Sequence, residues 1–128
     1  VTAWLTPEWF DRVRALASEL PARPGQSGRI QQHITGGPDG DVACYWVLED
    51  GHPTSAAAGT VDAPDLTLSL SWSDAAAVQA GTLDPSVAFM QGRMKVVGSM
   101  ALVLDLLSVA REPERVEIHR RVAELTDF

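Results

Sequence analysis

With 128 residues, 45% of them hydrophobic, and a single cysteine, the chain can form one domain that buries roughly 65–70% of its unfolded surface, without an internal disulfide. Ten Lys and Arg against seventeen Asp and Glu leave a formal charge of −7, which argues against nucleic acid as a partner because phosphate needs a positive surface. The most apolar run, Val96 to Leu107, is interrupted by Gly98, Ser99 and Asp105 and falls far short of the ~20 residues of a bilayer span, so no stable membrane insertion is expected.

The N-terminal VTAWLTPEW has no basic start and no long apolar segment, and a cytoplasmic location is the default expectation. Thr6 can cap a helix, Pro7 suits its first position, and Trp9, Val13, Leu16 and Leu20 follow at helical spacing, predicting a helix over 6–20. PARPGQSG ends it. RIQQHIT and VACYWVLED, separated by the turn GGPDGD, predict a hairpin of strands 30–35 and 42–49. GHPTSAAAGTV is too broken by Gly and Pro for a helix and predicts a third strand over 54–61.

Leu66, Leu68, Leu70 and Trp72 alternate with Thr67, Ser69 and Ser71, the mark of a strand with one face covered, over 65–72. Ser73 is the expected cap of the next short helix, which Gly81 stops. Asp84 and Pro85 start another towards Gly92, residues 93–97 form a fifth strand, and Ser99 caps a helix over 99–107. On that helix Met100, Val103, Leu104 and Leu107 are expected to share a face. REPERVEIHRRVAELTDF closes the chain as a mixed-charge helix with Val116, Val122 and Leu125 as its apolar positions. The predicted class is α+β: a five-stranded, mostly antiparallel sheet with its helices gathered on one face.

The pattern contains little that could do chemistry. His33, His52 and His119 fall in three different elements with no metal-ligand spacing, so no metal and no cofactor are expected. His33 reads as a sheet-surface residue, and His52 and His119 as solvated. Asp39, Asp41, Glu49 and Asp50 lie in turns, where they support chain reversal. GGPDG lacks the lysine and hydroxyl of a phosphate loop. Ser71, Ser73 and Asp74 have no histidine nearby in sequence, and Cys44, inside an apolar run, reads as an inert buried thiol.

The segment DPSVAFMQGRMKVVGSMALVLDLL, 84–107, holds all three methionines of the chain and neither a histidine nor a cysteine. Unbranched thioethers repack around different shapes, so the segment suits the wall of an apolar pocket as well as it suits ordinary core. It resembles the signature region of sterol carrier protein-2 domains. Asp84 and Pro85 match that family's helix start, Ala88 to Gly92 the residues before its strand, and Arg93 to Val96 the strand. Gly98, Ser99 and Met100 match the turn into the pocket helix, and Leu104 one of that helix's apolar positions. DLTLSLSWSDAAAVQAGTLD upstream is similar to the family's strand, short helix and linker.

The resemblance covers 65–107 in motif and the whole chain, 1–128, in order of elements. It implies a single sheet-and-helix domain enclosing an apolar tunnel, of a bacterial, actinobacterial type, that binds or carries a sterol, fatty acid, fatty acyl-CoA or similar lipid without catalysis. Phe89, Met90, Met100, Val103 and Leu104 are then expected to line the helical side of the pocket, and Leu68, Leu70 and Trp46 the sheet side. Gly92 and Gly98 serve as structural brackets of the short strand. Two alternatives stay open: an interaction or accessory module, as a homodimer or the partner of a biosynthetic enzyme, and a small enzyme acting on a hydrophobic metabolite.

Overall fold

Strand β1 (Thr2–Ala3) opens the chain in the computed structural model, which describes residues 1–128. Thr6 then turns the backbone into helix α1 (Pro7–Ala17), its side-chain oxygen accepting the Trp9 amide proton at 3.3 Å. The helix stops three residues earlier than its periodicity predicts, and Ser18 to Leu20 form a turn below it. Trp9 and Phe10 are each 1% exposed, and burying such aromatic side chains contributes about 2–3 kcal/mol apiece.

Strands β2 (Gly28–Gly37) and β3 (Gly40–Glu49) form the expected hairpin, and β4 (His52–Ala58) continues it antiparallel. Register pairs Ile30 with Trp46, Gln32 with Cys44 and Ile34 with Val42, so these side chains share one face. The third strand ends at Ala58 rather than 61 because Gly59, at φ 115°, turns into a crossover. That crossover runs over the opposite face of the sheet, held by Gln31. Its Nε2 donates to the Gly59 carbonyl at 3.1 Å, and its Oε1 accepts the Val61 amide proton at 2.9 Å.

The crossover delivers β5 (Leu66–Ser71) parallel to β2. The sheet order is then β4-β3-β2-β5 with β6 (Lys95–Gly98) at the far edge. Leu66, Leu68 and Leu70 fall on the same face as Ile30, Gln32 and Ile34. Trp72, predicted as strand, instead begins helix α2 (Trp72–Ala80), and the cap is Ser71 rather than Ser73. Ser71 Oγ accepts the Asp74 amide proton at 3.2 Å, which ends the strand one residue early, and the Trp72 ring lies 4.8 Å from that of Trp4.

Helix α3 (Pro85–Met90) is capped by Asp84 and α4 (Met100–Val109) by Ser99, both as expected. Helix α5 (Pro113–Leu125) closes the chain before β7 (Thr126–Asp127), which pairs with β1. Two predicted details of α5 are corrected: Val116 is 52% exposed, whereas Ile118 packs inward beside Val122. Trp9 Nε1 donates to Thr126 Oγ1 at 2.8 Å, joining α1 to the end of α5. Helix α4 comes close to the start of β2 over Gly28, where a Cβ would lie 2.9 Å from Leu102 Cδ2. Both the 6–20 and the 99–107 regions thus lie on the sheet face that carries Leu68 and Leu70.

Candidate functional site

The inner face of the sheet and the helices do not meet everywhere. Between them lies a cavity of about 220 Å³, and thirteen of its sixteen lining residues are hydrophobic. Ile34, Leu68 and Leu70 supply its sheet side, Ala75 and Val78 come from α2, and Val103, Leu106 and Leu107 from α4. Trp4, Leu5 and Trp9 close it from the N-terminal segment. A second cavity of about 280 Å³ adjoins it, since Trp9, Gln79, Leu106 and Ala110 line both. Trp46, Val13, Ile118 and Val122 complete most of its apolar wall, and its other polar side chains are Arg115 and His119.

Of the residues expected at a pocket, Leu68, Leu70 and Val103 line the first cavity and Trp46 the second. Phe89 packs partly buried against the core cluster of Ile34, Leu70 and Met94. Met90, Met100 and Leu104 are in neither lining and are 84%, 48% and 54% exposed. Met90 ends α3, where its side chain meets solvent, and for Met100 and Leu104 the reason is the phase of α4. That helix buries Leu102, Val103 and Val109, with Leu106 between them on the same stripe, roughly a third of a turn from the expected face. A helix that is apolar nearly all round does not declare in its pattern which side faces the core. The methionine that does line the cavity is Met94, which is 6% exposed just ahead of β6.

Residues outside the 84–107 signature supply much of the wall. Ile34 and Gln32 were accessible from strand alternation, and Leu106 from a correct helical phase. Trp4 and Leu5 carry no pattern signal, since a loop places them there.

The two structural glycines behave differently. Gly98 has φ 115°, and a Cβ there would collide with the Asp65 carbonyl oxygen and come 3.1 Å from the Leu66 Cα. Gly92 has φ 73° but open space around it, so only its backbone angle calls for glycine.

Ion pairs tie down the edges of the site. Arg23 Nη2 donates to Asp105 at 2.7 Å and Gln26 Nε2 donates to the same carboxylate at 2.8 Å, fixing the 21–27 loop to α4. The Arg23 guanidinium, then Gln26, hold the Asp105 carboxyl below its ordinary range, against the opposing effect of burial. Arg93 Nη2 donates to Asp74 at 2.6 Å and lowers that carboxyl in the same way, linking the approach to β6 with α2.

The potentially reactive side chains do not converge. His33 is exposed on the outer face of the sheet. His52 Nε2 lies 2.7 Å from the Leu20 carbonyl and His119 Nε2 3.0 Å from that of Gln79, so these two are half-buried and bonded rather than solvated. Asp41 is exposed and accepts the Gly36 amide proton. Burial pushes the Cys44 thiol up to about 12, keeping it out of the thiolate form. No three His, Cys, Asp or Glu side chains are grouped to hold a metal ion.

An α+β domain whose sheet and helices enclose adjoining apolar chambers is a hydrophobic-ligand-binding domain. Residues 10–111 match the model of the SCP-2 sterol transfer family, and the chain belongs to that family. A non-catalytic role in binding a hydrophobic ligand comes with that membership. Over 85 residues, 66% of the chain, it is 28% identical to sterol carrier protein 2 of Rattus norvegicus, and this stretch spans 16% of that relative's length. Its fold is similar to a crystal structure of sterol carrier protein 2, with a TM-score of 0.73 at 22% identity, covering 94% of this chain and 99% of that one. It is also similar to the solution structure of palmitated SCP2L2 from Aedes aegypti, with a TM-score of 0.64 at 21% identity, covering 81% and 92% of the two chains.

Proposed function

We propose that the chain binds and carries a sterol, fatty acid, fatty acyl-CoA or similar lipid in the space formed by the two chambers. The observation that carries this reading is the apolar lining of the first chamber together with the second chamber beside it, which shares Trp9, Gln79, Leu106 and Ala110 with it. Each chamber alone is smaller than the ~300–1,000 Å³ usual for ligand pockets, so a long ligand occupies both. Leu68, Leu70 and Val103 then hold it in the first chamber and Trp46 in the second. The names of the rat relative and of the palmitated mosquito protein support a sterol or an acyl chain as the cargo.

The finer reading is a bacterial, cytoplasmic carrier in which residues 1–128 form one functional unit. No helix is long and apolar enough to cross a membrane. The formal charge of −7 also works against standing attachment to anionic lipid surfaces.

A second reading, an interaction module that pairs with its own copy or with an enzyme, is favoured by one observation. Met90, Val97, Met100 and Leu104 expose apolar side chains to solvent. Native mass spectrometry of the purified protein, followed by titration with palmitate and cholesterol, separates the two. Co-purifying lipid, or saturable binding of either probe by a monomer, is the expected result. A dimer that binds neither probe overturns the carrier reading in favour of the interaction module.

A further inference from the structure

Most of the first chamber's wall belongs to strands and helices. Met94 and Ala110 adjoin β6 and α4, which leaves Trp4 and Leu5 as the lining residues that a loop alone holds in place. What ties that loop down is short. Strand β1 pairs with β7 through two residues, and the Trp4 amide donates to the Asp127 carbonyl at 2.9 Å. Arg12 Nη1 donates to Thr2 Oγ1 at 2.6 Å, and Thr6 Oγ1 to the Ala3 carbonyl at 2.7 Å. The Trp4 ring lies edge-on against Trp72 and Phe128, with centroids 4.8 and 5.2 Å away.

Two features of the loop oppose this closed position. Leu5 has φ 65°, in the left-handed region where a side chain crowds the backbone. The Trp4 indole N–H is buried without a hydrogen-bond partner, so closure removes its water without replacing it. Detachment relieves both at once, since Leu5 can return to ordinary angles and the indole can reach water. Strain of this kind collects at segments that switch. We infer that residues 2–5 form a strap that detaches from β7, hinging at Leu5, to admit ligand to the first chamber. This rests on the carrier reading and gives it an entry route. The movement stops at α1, where Trp9 and Phe10 are each 1% exposed and the Trp9 indole is held by Thr126 Oγ1.

The test locks the strap with a disulfide in the double variant Ala3→Cys, Asp127→Cys. These two residues are register partners, and the ~4.8 Å spacing of adjacent strands suits a disulfide bridge. Cys44 is 2% exposed and stays out of the exchange. Stopped-flow uptake of cis-parinaric acid should be at least about 10-fold slower in the oxidised variant than in the wild type, and reduction of the same sample should restore it. Equal uptake rates in the oxidised and reduced forms overturn the strap and leave the carrier reading standing. Hydrogen exchange on the wild type decides the matter even where the bridge does not form. The Trp4 indole proton should exchange about 100-fold faster than that of Trp9, at a rate little changed by low urea, because local detachment exposes it without global unfolding. Equal protection of the two indoles, or the same urea dependence for both, overturns the inference. Failure of the wild type to bind cis-parinaric acid overturns both the strap and the carrier reading.

Discussion

Val103 and Met100 stand one turn apart on α4 yet fall on either side of the protein surface, Val103 2% exposed in the chamber wall and Met100 48% exposed. Val103→Ala should therefore cost about 1–2 kcal/mol and change the affinity for a fluorescent fatty acid, since both packing and wall contacts are lost. Met100→Ala should stay within about 0.5 kcal/mol and leave that affinity unchanged. Urea unfolding and probe titration on both variants check this pair. A weakened probe affinity in Met100→Ala would mean that α4 rotates when the ligand enters.

Gly98→Val should destabilise by more than about 2 kcal/mol. Its φ of 115° strains any branched side chain, and the added atoms meet the Asp65 carbonyl, the group that also accepts the Ser99 amide proton at 2.8 Å. Gly92→Ala, with positive φ but free space, should cost less, about 1 kcal/mol. Equal thermal midpoints for the two variants would contradict the close approach at Gly98.

The Arg23–Asp105–Gln26 contact should make stability acid-sensitive. Because the Asp105 carboxyl is held below its unfolded value of about 4, the stabilisation is fully present above that pH and is lost as pH falls through the depressed value. Asp105→Asn should be less stable than wild type at pH 7 and should lose less on going to pH 3. The other depressed carboxyls, Asp74 and Glu117, remain in both proteins and drop out of the difference. Parallel pH profiles of urea midpoint would show that this contact does not couple to folding.

Cys44 should resist modification in the folded protein. It is 2% exposed and its thiol is pushed up to about 12, so at pH 8 it is neither reachable nor ionised. Labelling by a disulfide reagent should be slow in buffer and fast in denaturant, with a rate that tracks unfolding. Rapid labelling in buffer would reveal a local opening between β3 and α1.

Much of the architecture was legible in the chain because its signals are local. The alternation from Leu66 to Leu70 identifies the buried face of β5, and Thr6-Pro7, Asp84-Pro85 and Ser99 mark three helix starts through caps made by their own side chains. Ser71 was missed as a cap because Ser73 offers the same chemistry two residues later, and the choice depends on where Thr35 stops pairing in the neighbouring strand. The pairing of β1 with β7 was invisible, since two residues carry no period.

The candidate site divides in the same way. Sequence alone determined that residues 84–107 form a helix, a short strand and an apolar helix beside a half-covered sheet, and the glycine at 98 belongs to that determination. Tertiary structure decided which apolar side chains look inward. Met94, Leu106 and Trp4 line the first chamber while Met90, Met100 and Leu104 meet solvent. Hydrophobic transfer has no direction of its own, so an all-apolar segment states that something is buried but not which face. The facing is set by neighbours distant in sequence: Gly28 admitting Leu102, and the Trp4 and Trp9 rings closing the space above Ile34 and Leu70.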